Sequence, residues 1–250
     1  MSGMTEEQRF LFDLQGYLLV PNVLPKEQVE RMRTHMEEHG IKDPKNNPND
    51  SRFGNFLSWG AEWRELIDHP KLFPLLVELL GDNFRLDHAY GMAASAKAAP
   101  EAHGLHHHAD MFSYGCFYVA NGQRIHNGLI VVSFALTDIE PGVGGFCCIP
   151  GSHKSQFKMP DKWYGLADNP LVRQVPQQAG DVVIFTESLT HGTWPWTKQT
   201  GERRSVLLKY CPGYMQWSQK PMNAALEGLT ERQQAIMKGA YVWQRPRVTE

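Results

Sequence analysis

Apolar positions change their period part-way along this chain, and the change divides it. Up to about residue 82 they recur at the three-to-four spacing of amphipathic helices. Thr5-Glu6-Glu7-Gln8 has the form of a capping box, whose side chains satisfy the first free amides of a helix. That helix should run to about Gln15 and stop at Gly16. The apolar run Tyr17–Val20 reads as a strand ending before Pro21. Pro25 suits the first turn of a second helix, with Val29, Met32 and Met36 as a buried stripe and Gly40 as its stop. The methionines read as core filler. Residues 42–52 form a polar loop rich in Pro and Asn. Helical patterns return at 61–68 and 71–80, separated by Pro70 and ended by Gly81.

From Phe84 the texture is that of short strands, rich in Val, Ile, Phe and Tyr and punctuated by Gly, Pro, Asn and Asp. The runs 84–94, 111–119, 128–137, 145–149, 181–185 and 205–210 predict a multistranded antiparallel sandwich or barrel. A long segment at 155–174 interrupts them, carrying Phe157, Trp163 and Tyr164. It reads either as a binding loop or lid, or as an excursion packed on its own aromatics. Thr230-Glu231-Arg232-Gln233 is a second capping box, opening a helix that Gly239 should close. The expected fold is mainly β with flanking helices (α+β) in one domain over 1–250. Its parts are a helical region at about 1–82, a β core at about 83–212 and a helical tail at about 213–250.

Charge removes some partners from consideration. The net charge of −2 provides no basic field for nucleic acid, and no apolar run reaches membrane-spanning length. The start of the chain lacks the apolar core of a secretory signal, so the expected location is cytoplasmic. Cys116, Cys147, Cys148 and Cys211 show no Cys-x-x-Cys spacing and read as small buried hydrophobes in a reducing compartment. Oligomeric state is not legible; the expected partner is a small-molecule substrate.

The candidate chemistry begins at Gly104-Leu105-His106-His107-His108-Ala109-Asp110. On an extended strand His108 and Asp110 project from one face, so one distant histidine would complete a 2-His-1-carboxylate triad for non-haem Fe(II). His191 is the best third ligand, because it follows a Gly180-Asp181 turn and an apolar strand and precedes Gly192. His88, His126 and His153 are rivals on spacing. His106 should share the face of His108, as a group behind the ligands or facing substrate, and His107 should face away. Further on, Arg203 and Ser205 share one face of the last strand while Arg204 points the other way. An arginine beside a serine inside a barrel suits a bidentate grip on a carboxylate; the bland reading of the pair is a solvated turn. Gly142, Gly144 and Gly145 read as turn and close-packing residues, without the spacing of a phosphate cradle.

Taken together, several motifs carry a resemblance. They are Phe12-Asp13-Leu14-Gln15-Gly16-Tyr17, Val23-Leu24, His108-Ala109-Asp110, and Ala135-Leu136-Thr137-Asp138. They continue with Gly144-Gly145-Phe146-Cys147-Cys148-Ile149-Pro150-Gly151-Ser152-His153-Lys154, Ala179-Gly180-Asp181-Val182-Val183-Ile184-Phe185, His191-Gly192, and Arg203-Arg204-Ser205. In this order they resemble the phytanoyl-CoA dioxygenase family of Fe(II)- and 2-oxoglutarate-dependent oxygenases. The resemblance implies a double-stranded β-helix (jelly-roll, cupin-like) core with an N-terminal helical layer. It assigns iron to His108, Asp110 and His191, and the far carboxylate of 2-oxoglutarate to Arg203 with Ser205. It gives His153 no place among the ligands. The stretch between His191 and the arginines is slightly longer than the family's, which keeps Arg204 as an alternative; Ser205 restores an Arg-x-Ser pattern and favours Arg203.

The implied activity is hydroxylation of a small organic substrate, using O2 and releasing succinate and CO2. Asp110 points to hydroxylation rather than halogenation, because related halogenases lack that carboxylate. Two other classes compete. A cupin-like metalloenzyme without 2-oxoglutarate would have a dispensable Arg203, and a catalytically silent member of the fold would bind or sense metal only.

Overall fold

A computed structural model describes residues 3–41, 51–96, 104–106, 114–155, 157–166, 169–199 and 201–249. His107, His108 and Asp110 lie outside the described residues.

Local signals place the N-terminal elements as expected. In α1 (Glu6–Gln15) the Thr5 side chain accepts from the Gln8 amide, the Gln8 side chain accepts from the Thr5 amide, and Gly16 ends the helix in the left-handed conformation at φ 84°. A side chain at Gly16 would also lie 2.6 Å from the His153 ring, so the position is closed twice over. After β1 (Tyr17–Val20) comes α2 (Lys26–Glu38), which buries Val29, Met32 and Met36. The pattern at 61–68 yields only one short helix, α3 (Ala61–Arg64), and α4 spans Phe73–Leu80.

The expected β core is present. Among the described residues its major sheet contains six antiparallel strands in the order β1-β9-β6-β11-β3-β2. These include β2 (Ser51–Phe53), β3 (Arg85–Ala94), β6 (Ile130–Ala135), β9 (Val182–Thr186) and β11 (Arg203–Cys211). The minor sheet has the order β10-β7-β8, from β7 (Gly145–Cys148), β8 (Arg173–Gln174) and β10 (His191–Trp194). A separate hairpin joins β4 (Tyr118–Ala120) to β5 (Ile125–Asn127). Phe146 of the minor sheet meets Phe185 of the major sheet with ring centroids 4.5 Å apart, which closes the sandwich.

The two faces of the major sheet follow the strand period. Ile130, Val132, Phe134, Val182, Ile184, Val206, Leu208 and Tyr210 face the helices in the main core, with Phe12, Met32 and Trp63 opposite. Val131, Val183 and Phe185 face the minor sheet. Burying one such Leu, Ile or Phe side chain contributes about 1.5–3 kcal/mol, which explains why the interior register is set so firmly.

Some expectations fail in their limits. The 111–119 run yields a strand only at Tyr118–Ala120 among the described residues. Ser51–Phe53, inside the expected polar loop, is an edge strand because it pairs with β3. There Phe53 lies over Gly91, where a Cβ would come within 1.9 Å of its ring. In the 155–174 segment, Trp163 and Tyr164 pack beside Cys147, Met159 and Val172, while Phe157 is exposed. In the tail, α5 (Glu231–Met237) has its capping box at Thr230.

Candidate metal centre

β9 rises through its inner residues Val183 and Phe185, and the next position on that face is Glu187. The Glu187 amide donates to the Leu129 carbonyl at 2.9 Å. The chain then turns, with Leu189 N–H bonded to the Thr186 carbonyl at 2.9 Å, and starts β10 at His191. This tight reversal sets Glu187 and His191 side by side. A third group comes from afar. His106 pairs with His191 through both backbone bonds, N–H to carbonyl at 3.0 Å and 3.2 Å, and the two rings lie 4.1 Å apart.

His106 Nε2, Glu187 Oε1 and His191 Nε2 therefore converge, at 3.9 Å and 3.8 Å from carboxylate oxygen to each imidazole. One ligand atom from each residue lies within 4.8 Å of those of the other two. Glu187 and His191 are buried. The His191 Nδ1–H donates to the Leu189 carbonyl at 2.6 Å, which leaves Nε2 with its lone pair directed at the carboxylate. Burial, with His106 nearby, lowers the His191 pKa to about 3, so its imidazole is neutral at ordinary pH. Burial works against ionising Glu187, but Lys209, His106 and His191 outweigh it and hold its carboxyl well below the usual range. Two imidazoles and one carboxylate so placed fit a divalent transition metal, and one ion can draw all three inward.

The last strand supplies a second set of groups. Arg203, Ser205, Leu207 and Lys209 alternate along one face of β11, and Leu207 marks that face as the inner one. Arg203 is buried, and the Ser205 Oγ is buried with no hydrogen-bond partner among the described residues. A small anion fits this orphaned hydroxyl beside a guanidinium. Arg204 points to the helical layer. It binds Glu202, the Arg33 carbonyl at 3.1 Å and Glu37 at 3.0 Å, so it is saturated as a structural cation.

The other sequence candidates sit elsewhere. His88 binds Asp87 at 2.7 Å, and His126 is exposed on β5. His153 is buried and donates through Nε2 to the Asp13 carbonyl at 3.1 Å, with the Tyr118 ring 4.5 Å away. That is a structural fastening away from the His106–Glu187–His191 cluster. The four cysteines are buried, and burial pushes the Cys147 and Cys211 thiols up to about 12. Two members of this cluster, Glu187 and His106, were not singled out as ligands by the sequence reading. Glu187 had a signal, since it extends the inner alternation of Val183 and Phe185. The pairing of His106 with His191 had none, being set by distant chain segments.

The sequence profile described as phytanoyl-CoA dioxygenase (PhyH) matches residues 12–205. The chain belongs to the phytanoyl-CoA dioxygenase family. Among solved structures it is similar to HygX from Streptomyces hygroscopicus with nickel and 2-oxoglutarate bound. That match has a TM-score of 0.73 and 22% identity, covering 90% of this chain and 95% of HygX. It is also similar to SnoK, a non-haem α-ketoglutarate-dependent carbocyclase from nogalamycin biosynthesis, with a TM-score of 0.62 and 20% identity over 84% of this chain and 85% of SnoK. The epimerase SnoN from the same biosynthesis gives a TM-score of 0.61 at 20% identity, over 84% of this chain and 83% of SnoN. Family membership and the His106–Glu187–His191 donor set support the expected iron and 2-oxoglutarate. Among the described residues no helix is long and apolar enough to cross a membrane.

Proposed function

We propose that this protein is an Fe(II)- and 2-oxoglutarate-dependent oxygenase that hydroxylates a small organic substrate. The observation that carries the reading is the convergence of His106 Nε2, Glu187 Oε1 and His191 Nε2, with Arg203 and Ser205 buried on the inner face of β11 in the same sandwich. His106, Glu187 and His191 would hold the iron. Arg203 would grip the far carboxylate of 2-oxoglutarate, with the Ser205 hydroxyl as a second donor. Bound iron supplies the coupling of O2 reduction to decarboxylation of the oxoacid, giving succinate and CO2, and to oxidation of substrate. The residues bind, orient and exclude water: the neutral His191 is pre-set as a ligand, and Phe146 and Phe185 pack against it from both sheets.

This reading takes Glu187 as the carboxylate ligand, in place of the Asp110 that the His-x-Asp pattern suggested. His108 and Asp110 are the competing donors, and paired substitution separates the two sets. Glu187→Ala and His106→Ala should abolish Ni(II) binding in titration calorimetry, while Asp110→Gly should retain it. Metal loss only in His108→Ala and Asp110→Gly would move the triad back to the sequence pattern. For the activity, aerobic incubation with Fe(II), 2-oxoglutarate and a substrate panel should release succinate, and turned-over substrate should gain one oxygen atom. Absence of succinate above an His191→Ala control would sink the oxygenase reading. A cyclised or epimerised product, reactions named for SnoK and SnoN, would keep the oxidant and replace hydroxylation as the outcome.

A further inference from the structure

The inner face of the major sheet continues past β11 to the edge. Ser205 lies opposite Met92 of β3, and Met92 lies opposite Arg52 of β2, so these three side chains share one face. Leu207 stands opposite Tyr90 and Lys209 opposite His88, which brings both rings to that face as well. The other face is fixed independently, since Phe53, the residue after Arg52, is buried in the main core. β2 ends the sheet, so Arg52 sits at its rim. The Arg52 guanidinium lies over the Tyr90 ring, 4.0 Å from its centroid. Tyr90 in turn stacks on His88, with centroids 6.1 Å and planes 12° apart, and His88 is tied to Asp87 at 2.7 Å. Arg52 is exposed, whereas Tyr90 and His88 are half-buried. The charges on this face are unevenly matched. Glu187 answers Lys209 at 2.9 Å, but among the described residues no carboxylate pairs with Arg52.

We infer that Arg52, stacked on Tyr90, binds an oxyanion of the primary substrate, which therefore carries a carboxylate or a phosphate. The inference rests on this face serving a 2-oxoglutarate oxygenase, and it is independent of which side chains ligate the iron. A planar guanidinium presents paired N–H donors that match a carboxylate or phosphate bidentately. Stacking on a ring fixes the plane of that fork before any ligand arrives, which lowers the ordering cost of binding. An aromatic partner also leaves the positive charge uncancelled, where a carboxylate partner would neutralise it. Arg203 has the cosubstrate as its own anion in the reading above. β2 and β11 are two strand spacings apart, about 10 Å, so the two anion positions are distinct. Register thereby places one cation for the cosubstrate and a second for the substrate on the same face, without competition between them.

The test uses the whole protein loaded with Ni(II) and 2-oxoglutarate, so that the cosubstrate's cation is already occupied. Benzoate and phenyl phosphate serve as anionic probes and benzamide as the neutral one, each titrated by calorimetry. Wild type should bind at least one of the anions and not benzamide, and the preferred anion distinguishes a carboxylate from a phosphate substrate. Arg52→Gln should weaken that anion by about tenfold or more, the loss of a charge-assisted pair, while 2-oxoglutarate affinity stays within about twofold. Arg52→Lys should fall between them, since an ammonium keeps the charge and loses the fork. Equal anion affinity in wild type and Arg52→Gln would overturn the inference, as would benzamide binding as tightly as benzoate. A parallel loss of 2-oxoglutarate would assign Arg52 to the cosubstrate and overturn it too. The wild-type titration with 2-oxoglutarate separates the two possible failures. If the cosubstrate does not bind, the oxygenase reading itself falls. If it binds and neither anion does, only the role of Arg52 falls.

Discussion

The two faces of the major sheet are made by the same strands and treat charge in opposite ways. On the outer face Arg204 is buried, but Glu202, Glu37 and the Arg33 carbonyl surround it, and its neighbours Val206, Leu208 and Tyr210 are pure core. On the inner face Arg203, Ser205 and Glu187 are buried, Lys209 is nearly so, and Glu187 meets His106 and His191. A charge on the outer face is there to be neutralised, and the architecture around it is closed. The inner groups are held in place by register and by one another, and three of them, His106, Glu187 and His191, bring ligand atoms together. Burial alone therefore does not separate a structural ion from a functional one; what separates them is whether the partners complete the coordination.

Substitutions can break this contrast, and their effects should descend in order. Glu187→Ala should be the most severe, lowering metal affinity by more than about 100-fold, since loss of a ligand must exceed the 10–100-fold loss seen for partners behind ligands. It also leaves the Lys209 charge buried without its carboxylate, so the metal-free protein should lose about 3–5 kcal/mol in urea unfolding. The two neighbouring arginines should then diverge. Arg204→Ala should cost about 3–5 kcal/mol of stability, because it strands Glu202, whose side chain is only 10% exposed, while 2-oxoglutarate affinity stays near wild type. Arg203→Ala should do the reverse, weakening 2-oxoglutarate binding by about 30-fold or more in calorimetry, the equivalent of losing about 2 kcal/mol from a buried charge pair. Equal effects on the cosubstrate would erase the distinction between the faces.

Leu208→Ala should cost about 2–5 kcal/mol in unfolding and leave Ni(II) affinity untouched, which would confirm that the outer face serves packing alone. A last effect should be an acid one on β3, where Asp87 pairs with the buried Arg85. Burial pushes the Asp87 carboxyl up, but hydrogen bonds from His88, the Trp217 amide and Arg85 outweigh it and hold the group below its ordinary value of 3.8. A depressed carboxylate stabilises the fold above its unfolded pKa, and that contribution disappears as pH falls from 3.8 through the folded value. Asp87→Asn should flatten the fall in unfolding midpoint over that acid window. An unchanged slope would show that Asp87 does not govern it.

Much of this was legible in the sequence, and the reasons are physical. Capping boxes at Thr5 and Thr230 and the stripe Val29, Met32, Met36 are local, so they read directly. The opposite facing of Arg203 and Arg204 was legible because strand period is a property of the backbone. His191 was singled out from its turn and strand, and it lies in the cluster with His106 and Glu187. Glu187 was not, because one acidic residue after a threonine reads as the start of a turn, and only the shared face of Val183 and Phe185 reveals its direction. His106 was read as a neighbour of the ligands, and its position as a ligand candidate depends on a non-local pairing with His191. Ser51–Phe53 was hidden for the same reason: an edge strand of three residues takes its identity from the strand beside it.

The register of β11 also determines where this chain can change length. Its ladder with β3 runs unshifted from Arg203 to Lys209, and the irregularity falls only after it, between Lys209 and Tyr210. An added residue between Trp194 and Arg203 lengthens a connection and leaves every side chain of the strand on its own side. The same residue added within the ladder would exchange the two faces beyond it, sending Lys209 to the helices and a leucine to the cleft. Descendants of this sequence are thus free to vary the approach to the strand, and the strand itself admits substitution but no insertion.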